Sequence, residues 1–331
     1  MKRGLVVVVH NELADPRRTG PAAEPHLIHE EIPIIEEALR AAGWEASAVP
    51  VGADILGALG TLASLRPRAV INLCDDLLGR SDHEMHFAGA LELLGIPYTG
   101  APPLALGLCR DKVMTKLILR GHGIPTAPFV FVEDPDTPLA GLRFPVIAKP
   151  AAEDGSLGIT DASVAADEDA ARRAIKAVLA QYGPVLVEEY IEGRELNVPV
   201  LGNAPPRVLP VSEIDFDGLA PGMPHICGYE AKWEQADDRY AGTVGICPAD
   251  LSDQIRDRIE HWSVLAFRTL GLRDYARIDW RLSPTRGLMA LEANPNPDIS
   301  PSSGFLRSVR AAGLDYPEFI GRLLEETLAR A

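Results

Sequence analysis

Two neighbouring segments near the C-terminus decide the fold: Tyr275-Ala276-Arg277-Ile278-Asp279-Trp280-Arg281-Leu282 and Leu288-Met289-Ala290-Leu291-Glu292-Ala293-Asn294. Polar and apolar residues alternate in the first segment, which is typical of a β-strand because successive side chains point to opposite faces of a sheet. Arg277, Asp279 and Arg281 therefore share one face. Together the two segments predict an antiparallel hairpin.

A four-residue loop, Pro284-Thr285-Arg286-Gly287, would set the register of this hairpin. That register places Asp279 opposite Glu292 and Arg277 opposite Asn294. Like charges that face each other directly destabilise a sheet. The pairing of Asp279 with Glu292 therefore needs an explanation beyond sheet formation.

A divalent cation between the two carboxylates is one explanation, since the oxygens of Asp279, Glu292 and Asn294 suit Mg²⁺ or Mn²⁺. The alternative is a solvated outer face of an antiparallel sheet. The rigid polar segment that follows, Asn294-Pro295-Asn296-Pro297-Asp298, favours a functional site, because purely structural hairpins seldom end in this way.

Charge and length restrict the classes of protein to which this chain can belong. The chain has 331 residues, with 47 Asp and Glu against 32 Lys and Arg, a formal net charge of −15, and 47% hydrophobic residues. Single cores stop growing at about 250–300 residues, so two or three packed units are expected. The acidic balance argues against nucleic acid and anionic membranes as partners, since both need a basic surface. It leaves room for an anionic small molecule in a locally basic pocket.

The cysteines predict a cytoplasmic protein. Cys74, Cys109, Cys227 and Cys247 form no C-x-x-C pair, and four thiols in a chain of this length fit a reducing compartment better than a disulfide framework. No apolar stretch approaches the about 18–20 residues that a membrane helix needs.

The first hundred residues alternate between strand and helix patterns, which predicts a parallel sheet with helices on both faces. The expected strands are Leu5–Val9, Ala46–Val51, Ala69–Leu73 and Ile96–Thr99, and the expected helices are Ile28–Ala42, Asp54–Leu65 and Phe87–Leu94. Ligands gather at the carboxyl ends of such strands, here near Val9–Glu12 and Leu73–Asp76.

Two further units are predicted, so that the chain divides into residues 1–108, 109–190 and 191–331. The second contains helix Asp111–Arg120, strands Phe129–Val132, Pro145–Lys149 and Val185–Glu189, and helix Asp167–Gln181. The third contains helix Leu251–Gly271, the hairpin and a closing helix, Tyr316–Arg330.

Single residues in these units support a functional role to different degrees. Lys149 ends an apolar strand, where a buried ammonium group needs an anionic partner, so a functional role is favoured. Lys112 lies on a helix with Arg110 and Lys116, which is also compatible with a plain surface position. His83 and His86 flank Glu84, where a polar helix start is favoured over a metal site.

In this order, the motifs of the chain resemble the ATP-grasp superfamily and, within it, the D-alanine–D-alanine ligase branch. Arg277-Ile278-Asp279 and Glu292-Ala293-Asn294 are similar to its metal-binding end. The upstream motifs are Ile96-Pro97-Tyr98-Thr99-Gly100, Asp111-Lys112, Ala148-Lys149-Pro150, Asp154-Gly155-Ser156-Leu157-Gly158, Val187-Glu188-Glu189-Tyr190-Ile191-Glu192-Gly193-Arg194-Glu195 and Tyr229-Glu230-Ala231-Lys232-Trp233.

The resemblance implies an α/β (α+β) protein, an ATP-grasp fold with an N-terminal parallel-sheet domain. It implies ATP as ligand, with Lys112 and Lys149 on the α- and β-phosphates and Lys232 near the γ-phosphate. Other implied ATP-binding residues are Gly155 and Ser156 in the loop over the phosphates, the adenine hinge Glu188, Glu189, Tyr190 and Ile191, and Glu195 on the ribose. Asp279, Glu292 and Asn294 would hold two Mg²⁺ ions, with Mn²⁺ as an alternative. Arg277, with Lys232, would stabilise the reacting charge.

The sequence departs from the ligase pattern on the amino-acid side. Asp298 stands where these ligases have a glycine of a Pro-Gly-Met segment, and Gly155 stands where a substrate-side serine is expected. The expected substrate-binding residues are Glu84, Ser302 and Ser303. The resemblance thus implies that the ATP half is retained and the amino-acid half is altered, so D-alanine is not assumed as substrate.

The expected function is therefore an ATP-dependent carboxylate–amine ligase that forms an amide or peptide bond through an acyl phosphate. Its partners would be small carboxylates and amines, with neither nucleic acid nor membrane, and the resemblance implies a homodimer through the first unit. The alternatives are an ATP-grasp kinase or carboxyl-phosphate enzyme without an amine acceptor, and a non-catalytic nucleotide-binding module.

Overall fold

The first sheet is entirely parallel. The structure, a computed structural model, describes residues 3–12, 28–233 and 237–330. Strands β1 (Leu5–Asn11), β2 (Glu45–Val51) and β3 (Ala69–Leu73) pair in the order β2-β1-β3. The Val6–Val9 run of β1 is fully buried because helices cover both faces of the sheet.

Four helices accompany this sheet: α1 (Ile28–Ala41), α2 (Ile55–Leu65), α3 (Glu84–Leu93) and α4 (Pro103–Arg110). One prediction was wrong here. The expected strand Ile96–Thr99 is reduced to a single bridge between Tyr98 and Val70. Helix α4 begins at Pro103, where the fixed φ of proline suits the first helical turn.

The second sheet is antiparallel, with the order β4-β7-β5-β6. Its strands are β4 (Phe129–Val132), β5 (Val146–Pro150), β6 (Val164–Ala165) and β7 (Val185–Glu189). Helix α6 (Glu168–Tyr182) packs on one face and forms an apolar core with it. Helix α5 (Lys112–Gly121) begins at the cap residue Asp111, whose Oδ1 accepts from the backbone N–H of Met114 at 2.9 Å.

The third sheet carries the hairpin. Its strands are β8 (Arg194–Leu201), β9 (Arg207–Val208), β10 (Ser212–Asp215), β11 (Val244–Ile246), β12 (Tyr275–Ser283) and β13 (Gly287–Asn294), in the order β11-β10-β8-β12-β13 with β9 on β8. Helix α9 (Asp253–Thr269) packs against β8 and β12.

The turn of the hairpin differs from the prediction, but the predicted pairing of Asp279 with Glu292 is still formed. Ser283 pairs with Gly287, so the turn is one residue shorter than expected. Leu291 is the extra residue of a β-bulge, which restores the expected pairing of Asp279 with Glu292. The polar face of β12 is buried, with Asp279 4% exposed, so the alternative of a solvated face was wrong.

The chain returns to the first sheet at its C-terminal end. Helices α10 (Gly304–Ala311) and α11 (Tyr316–Ala329) share an apolar core with α1 and the first sheet. Helix α10 was not expected from the sequence. The boundary expected after residue 108 falls inside α4 and that after residue 190 falls between β7 and β8, and the division into units stays a prediction.

Short elements cover the cleft between the second and third sheets. They are α7 (Tyr229–Trp233) and α8 (Asp238–Gly242), in the glycine-rich and charged stretch before β11. Across the described ranges, no helix combines the length and the apolar character required to span a bilayer.

Candidate active site

A cleft of about 1060 Å³ lies between the second and third sheets, and the first unit closes one end. Nearly all the expected site residues line it: Lys112, Lys149, Gly155, Ser156, Glu188, Glu189, Tyr190, Ile191, Glu195, Lys232, Arg277, Asp279, Glu292, Asn294, Ser302 and Ser303. Residues from distant parts of the chain thus meet in one cavity. Glu84 lies next to the cleft and contacts Asn296 of its lining.

Lys112 enters the cleft from the first turn of α5. Its side chain is 5% exposed, its Nζ donates to the carbonyl of Glu153, and it lies 3.3 Å from Asp154 Oδ1 and 3.6 Å from Glu292 Oε2. Burial alone would lower the pKa of Lys112, but the negative charges of Asp154 and Glu292 raise it. Lys112 is therefore a buried cation and not a surface residue.

Glu188 is held between two lysines. Lys149 Nζ lies 2.6 Å from Oε1 and Lys116 Nζ lies 2.6 Å from Oε2. Burial alone would raise the pKa of Glu188, but the two ammonium groups lower it to about 2. Lys116 is 1% exposed and also donates to Thr126, whose hydroxyl donates to the carbonyl of Ala290 at 2.8 Å. Lys116 thus links α5 to β7 through Glu188 and to β13 through Thr126, at the end of the cleft expected to bind the nucleotide.

The segment at the end of β7 is held by ion pairs at Glu189 and by hydrogen bonds at Tyr190. Glu189 is paired with Arg143 and Arg286, which hold the pKa of its carboxyl below the usual value against the effect of burial. Tyr190 N donates to the carbonyl of Pro145, and its hydroxyl donates to the carbonyl of His225 at 3.2 Å. Ile191 adds a buried apolar side chain to the wall of the cleft.

Glu195 faces Arg281 across β8 and β12. Arg281 Nη2 lies 2.8 Å from Glu195 Oε2, and both residues are buried. Arg281 also donates to the carbonyls of Gly193 and His225.

Arg277 and Asp279 form a two-pronged ion pair, with Nε–Oδ1 and Nη2–Oδ2 distances of 2.8 Å. Asn197 on β8 donates to the same Oδ1 at 2.9 Å. Glu292 lies opposite Asp279; burial would raise its pKa, but Lys112, Lys232, Lys149 and Arg277 lower it to about 2. Asp279 and Glu292 thus lie side by side, and four nearby cations stabilise the anionic form of Glu292.

The set Asp279, Glu292 and Asn294 can hold a divalent metal ion. Among the described residues, Asp279 Oδ1 accepts two bonds, from Arg277 and Asn197, whereas Oδ2 accepts one, from Arg277. Asn294 Oδ1 accepts one bond, from Asn296 N. Each oxygen has two lone pairs, so Asp279 Oδ2 and Asn294 Oδ1 each keep a site for a cation. In the described part of the chain, no group of three or more His, Cys, Asp or Glu side chains could hold a metal, and His83 and His86 simply pack ring to ring at 5.7 Å.

The loop over the phosphate region is shaped by glycine. Gly158 has φ +71, and a β-carbon there would lie 2.6 Å from the Tyr182 ring. Ser156, at φ 64, donates through its hydroxyl to the carbonyl of Cys227 at 2.7 Å, and Tyr229 N donates to Ile159 O. These bonds dock the loop onto the stretch that carries Lys232.

The end of the cleft expected to bind the amino acids, called the amino-acid end, is lined by a different set of polar groups. Asp298 accepts from the N–H of Ser300 at 2.7 Å and from its hydroxyl at 2.8 Å. Ser302 donates to Glu31 at 3.1 Å, and Ser303 caps α10 by accepting from the N–H of Leu306.

Glu84 and Arg307 complete this end. Glu84 is buried and accepts from Asn296 Nδ2 at 2.9 Å; burial raises the pKa of its carboxyl well above the usual value. Arg307 lines the cleft, and its Nη1 is buried without a hydrogen-bond partner in the described residues. A β-carbon at Gly245 would lie 1.8–2.3 Å from the guanidinium atoms of Arg307, so this glycine makes room for it.

Comparison with known proteins decides the family. A family model described as "D-ala D-ala ligase C-terminus" matches residues 118–325. The D-alanine–D-alanine ligase of Bordetella petrii is 34% identical over 304 residues, which cover 89% of this chain and 86% of that protein. The chain belongs to the D-alanine–D-alanine ligase family.

A second sequence relative and a solved structure are also similar to the chain. An uncharacterized protein, y4sG of Sinorhizobium fredii, is 34% identical over 258 residues, or 77% of this chain and 73% of that protein. The D-alanine–D-alanine ligase of Bacillus anthracis, solved in complex with ATP, superposes with a TM-score of 0.73 at 20% identity, over 99% of this chain and 98% of that one. These findings confirm the expected ATP-grasp fold and the expected class, an ATP-dependent ligase that forms an amide bond.

Three residues were missed from the sequence: Arg281 and Arg307, which line the cleft, and Lys116, which contacts the lining residue Glu188. Lys116 was grouped with surface charges, although it lies one helical turn after Lys112 and therefore on the same face. Arg281 was placed on the polar face of β12 without a role, although its alternation with Asp279 was visible. Arg307 could not be identified from the sequence pattern, because the position of its side chain depends on Gly245 in strand β11.

Proposed function

We propose that the chain joins the carboxylate of one amino-acid-like substrate to the amine of another, with ATP as the energy source. The observation that carries this proposal is the convergence of Lys112, Lys149, Lys232 and Arg277 on the paired carboxylates Asp279 and Glu292. Such a cluster is a phosphoryl-transfer environment: cations for the phosphate oxygens beside acidic oxygens for a metal.

At the nucleotide end, Lys112 and Lys149 would contact the phosphates of ATP, and the segment Glu188 to Ile191 would hold the adenine. The pairing of Lys149 with Glu188 supports this role, because it fixes the ammonium group at the base of the cleft before ATP arrives. Glu195 would accept hydrogen bonds from the ribose. The backbone of Gly155 and Ser156 would cover the phosphates.

Asp279, Glu292 and Asn294 would hold Mg²⁺, and Mn²⁺ is a second suitable ion. The bound metal supplies neutralising charge to the phosphate oxygens. The anionic state of Glu292, with its pKa of about 2, supports this role.

The reaction would run in two steps. The donor carboxylate oxygen attacks the γ-phosphorus of ATP, and the bond to the bridging oxygen breaks, which yields an acyl phosphate and ADP. The acceptor amine then attacks the acyl carbon, phosphate leaves, and the amine proton is released. Arg277 would stabilise the negative charge on the tetrahedral intermediate. Lys232, which makes no hydrogen bond or ion pair within the described ranges, would be available for the γ-phosphate.

The amino-acid end supports substrates other than a pair of D-alanines. Asp298 places a carboxylate where the family pattern has glycine, and Arg307 adds a cation next to Ser303. A carboxylate of the acceptor would lie near Ser303 and Arg307, while Asp298 would favour a cationic group such as the substrate ammonium. Glu84 would contribute through Asn296.

The test is ADP release by the purified protein with ATP, Mg²⁺ and pairwise mixtures of D- and L-amino acids and dipeptides, with mass detection of products. Amine-dependent ADP release with an amide product is expected. A stable phosphorylated product that is insensitive to amines would indicate a kinase, and nucleotide binding without turnover under all mixtures would indicate a binding module; both results contradict the proposal.

Asp279→Asn tests the metal end. Turnover should fall by about a thousandfold, since charge stabilisation at the reacting centre is lost. The matched control is Asp257→Asn on the exposed surface of α9, which should keep full turnover. If Asp279→Asn keeps its rate, the assignment of Asp279 to the metal is wrong.

We also propose a homodimer through the first unit. Leu56, Leu93 and Leu104, on α2, α3 and α4, are 82%, 92% and 70% exposed, and exposed apolar side chains favour an interface. Light scattering should give twice the chain mass for the wild type, and a monomer for Leu93→Glu. A monomeric wild type would contradict the proposal.

A further inference from the structure

Arg281 is a buried arginine at the nucleotide end that the proposed reaction does not use. It lies two residues after Asp279 on β12, and it is 3% exposed. Its cross-strand partner on β8 is Glu195, the residue proposed to bind the ribose. A guanidinium group is costly to bury unless its donors are satisfied, so its surroundings indicate what it does.

Its donors are used by three groups from two segments: Gly193 and Glu195 at the start of β8, and His225. Nη2 lies 2.8 Å from Glu195 Oε2, Nη1 donates to the carbonyl of Gly193 at 3.0 Å, and Nη2 also donates to the carbonyl of His225. Gly193 has φ +138, and a β-carbon there would lie 2.2 Å from the carbonyl oxygen of Leu282. Only glycine allows the chain to pass this close to β12, within reach of Arg281.

The flat face of the guanidinium group is also packed. Its central carbon lies 5.9 Å from the centre of the Tyr190 ring and 5.4 Å from that of Phe216. Phe216 in turn stacks on His225 at 5.2 Å, and the Tyr190 hydroxyl donates to the His225 carbonyl. The arginine is thus held in one conformation by aromatic side chains from the hinge and from the segment that covers the cleft.

This arrangement leaves Glu195 with one oxygen for a ligand. Oε2 is paired with Arg281, and Oε1 has no hydrogen-bond partner among the described residues. The side chain of Glu195 lines the cleft and is 12% exposed. A carboxylate held in this way presents one acceptor in a fixed position, and its negative charge near a triphosphate is offset by the adjacent arginine.

Resting on the proposed function, we infer that Arg281 is the positioning residue for the ribose: it orients Glu195 toward the 2′- and 3′-hydroxyls and so sets the preference for ribonucleotides. It also ties His225, and with it the covering segment, to the occupied ribose site. Arg281 does not touch the reacting atoms, and its effect passes through Glu195.

The test measures nucleotide binding directly, with no amino acid present. Isothermal titration compares ATP with 2′,3′-dideoxy-ATP, in the presence of Mg²⁺, for the wild type and for Arg281→Met. In the wild type, ATP should bind about ten- to a hundredfold more tightly than the dideoxy analogue, because a site built to hydrogen-bond a hydroxyl rejects the ligand that lacks it. In Arg281→Met this ratio should fall to within about threefold of unity, mainly through weaker ATP binding.

Three further variants separate positioning from general damage. Glu195→Gln should lower the same ratio, and adding Arg281→Met to it should change the ratio no further, since both act on one contact. Arg281→Lys keeps the charge but loses the guanidinium fork that donates to Glu195, Gly193 and His225 together, so it should give an intermediate ratio even if the methionine variant fails to fold. Arg194→Met is the matched control, because Arg194 pairs with Glu213 in the same sheet, at 2.6 Å, on a half-exposed side chain. It should leave the ratio unchanged.

A wild-type ratio retained in Arg281→Met or Arg281→Lys would overturn this inference, and a ratio lowered equally by Arg194→Met would do the same. A chain that binds neither nucleotide would overturn both this inference and the proposed function. Ribose discrimination that depends on Arg281, in a protein that never forms an amide, would contradict only the proposed function.

Discussion

The nucleotide end and the amino-acid end of the cleft differ in how their charges are paired. At the nucleotide end, Glu188 lies between Lys116 and Lys149, and Glu195 is paired with Arg281. At the amino-acid end, Arg307 has a buried nitrogen without a hydrogen-bond partner in the described ranges.

The same contrast appears among the carboxyl groups. Glu188 is ionised by its lysines, with a pKa of about 2, whereas burial raises the pKa of Glu84, whose carboxyl accepts from an amide. Charges that are already paired hold their positions without a ligand, so the nucleotide end is preorganised. Charges that lack partners gain most from a ligand that supplies them, so we expect substrate choice to be decided at the amino-acid end.

Glu188→Gln should produce the largest effect. The change removes one buried charge and leaves Lys116 and Lys149 without their partner, which should reduce the free energy of unfolding by about 3–5 kcal/mol. Urea denaturation measures it. Glu318→Gln is the control and should cost less than about 1 kcal/mol, because Glu318 and its partner Arg322 form an exposed pair on α11. Equal losses in the two variants would show that the buried pairs at the nucleotide end add nothing to stability.

Arg307→Gln tests the amino-acid end. The KM for the acceptor should rise about ten- to a hundredfold, since hydrogen bonds to a charged group contribute most to such sites. The KM for ATP and the stability should stay the same, because Arg307 has no paired charge to lose. Arg322→Gln, in an exposed pair on α11, is the control. A rise in the KM for ATP instead would place Arg307 outside the acceptor site.

Glu84→Gln should change how stability depends on pH. The pKa of Glu84 is raised in the folded protein, so the unfolded chain loses this proton first and stability falls as pH rises above about 4.3. The glutamine variant lacks this loss and should gain about 1–2 kcal/mol over the wild type between pH 5 and pH 7. Denaturation at both values measures the difference.

Glu188 should affect stability in the opposite way, because its pKa is lowered in the folded protein. Its contribution to the free energy of unfolding is present at neutral pH and is lost as pH falls from about 4.3 toward 2. If the free energy of unfolding differed between Glu84→Gln and the wild type by the same amount at all pH values, burial would not be what sets the pKa of Glu84.

Gly245→Ala should give the smallest effect. The new methyl group would lie within 2.3 Å of the Arg307 guanidinium and must displace it. The KM for the acceptor should rise about three- to tenfold, and the double variant with Arg307→Gln should match Arg307→Gln alone, since both changes act on one side chain. Additive effects would separate Gly245 from Arg307.

Much of the nucleotide end could be predicted, because its motifs are local. Lys149 after an apolar strand and the acidic hinge from Glu188 are each visible within a few residues. The amino-acid end could be predicted only as a departure from the family pattern at Asp298 and Gly155. Its cation, Arg307, lies on helix α10, which was not expected. The position of the Arg307 side chain also depends on Gly245 in strand β11.

The hairpin shows the same limit on a smaller scale. The pairing of Asp279 with Glu292 was predicted with a loop one residue too long, and the bulge at Leu291 compensates. Alternation specifies which side chains share a face, but turn length and bulge both shift the register by one residue. The sequence predicted the resulting pairing of Asp279 with Glu292 but neither the shorter turn nor the bulge.

By itself, the sequence determined the order of the elements, the acidic pair on the hairpin and the family, because these depend on periodicity and on motifs a few residues long. The tertiary structure alone decided which charges are partners. Arg281 meets Glu195 across 86 residues of chain, and Lys116 meets Glu188 only after α5 docks on the second sheet. Pairing of buried charges is a property of distances in space, and no local pattern specifies those distances.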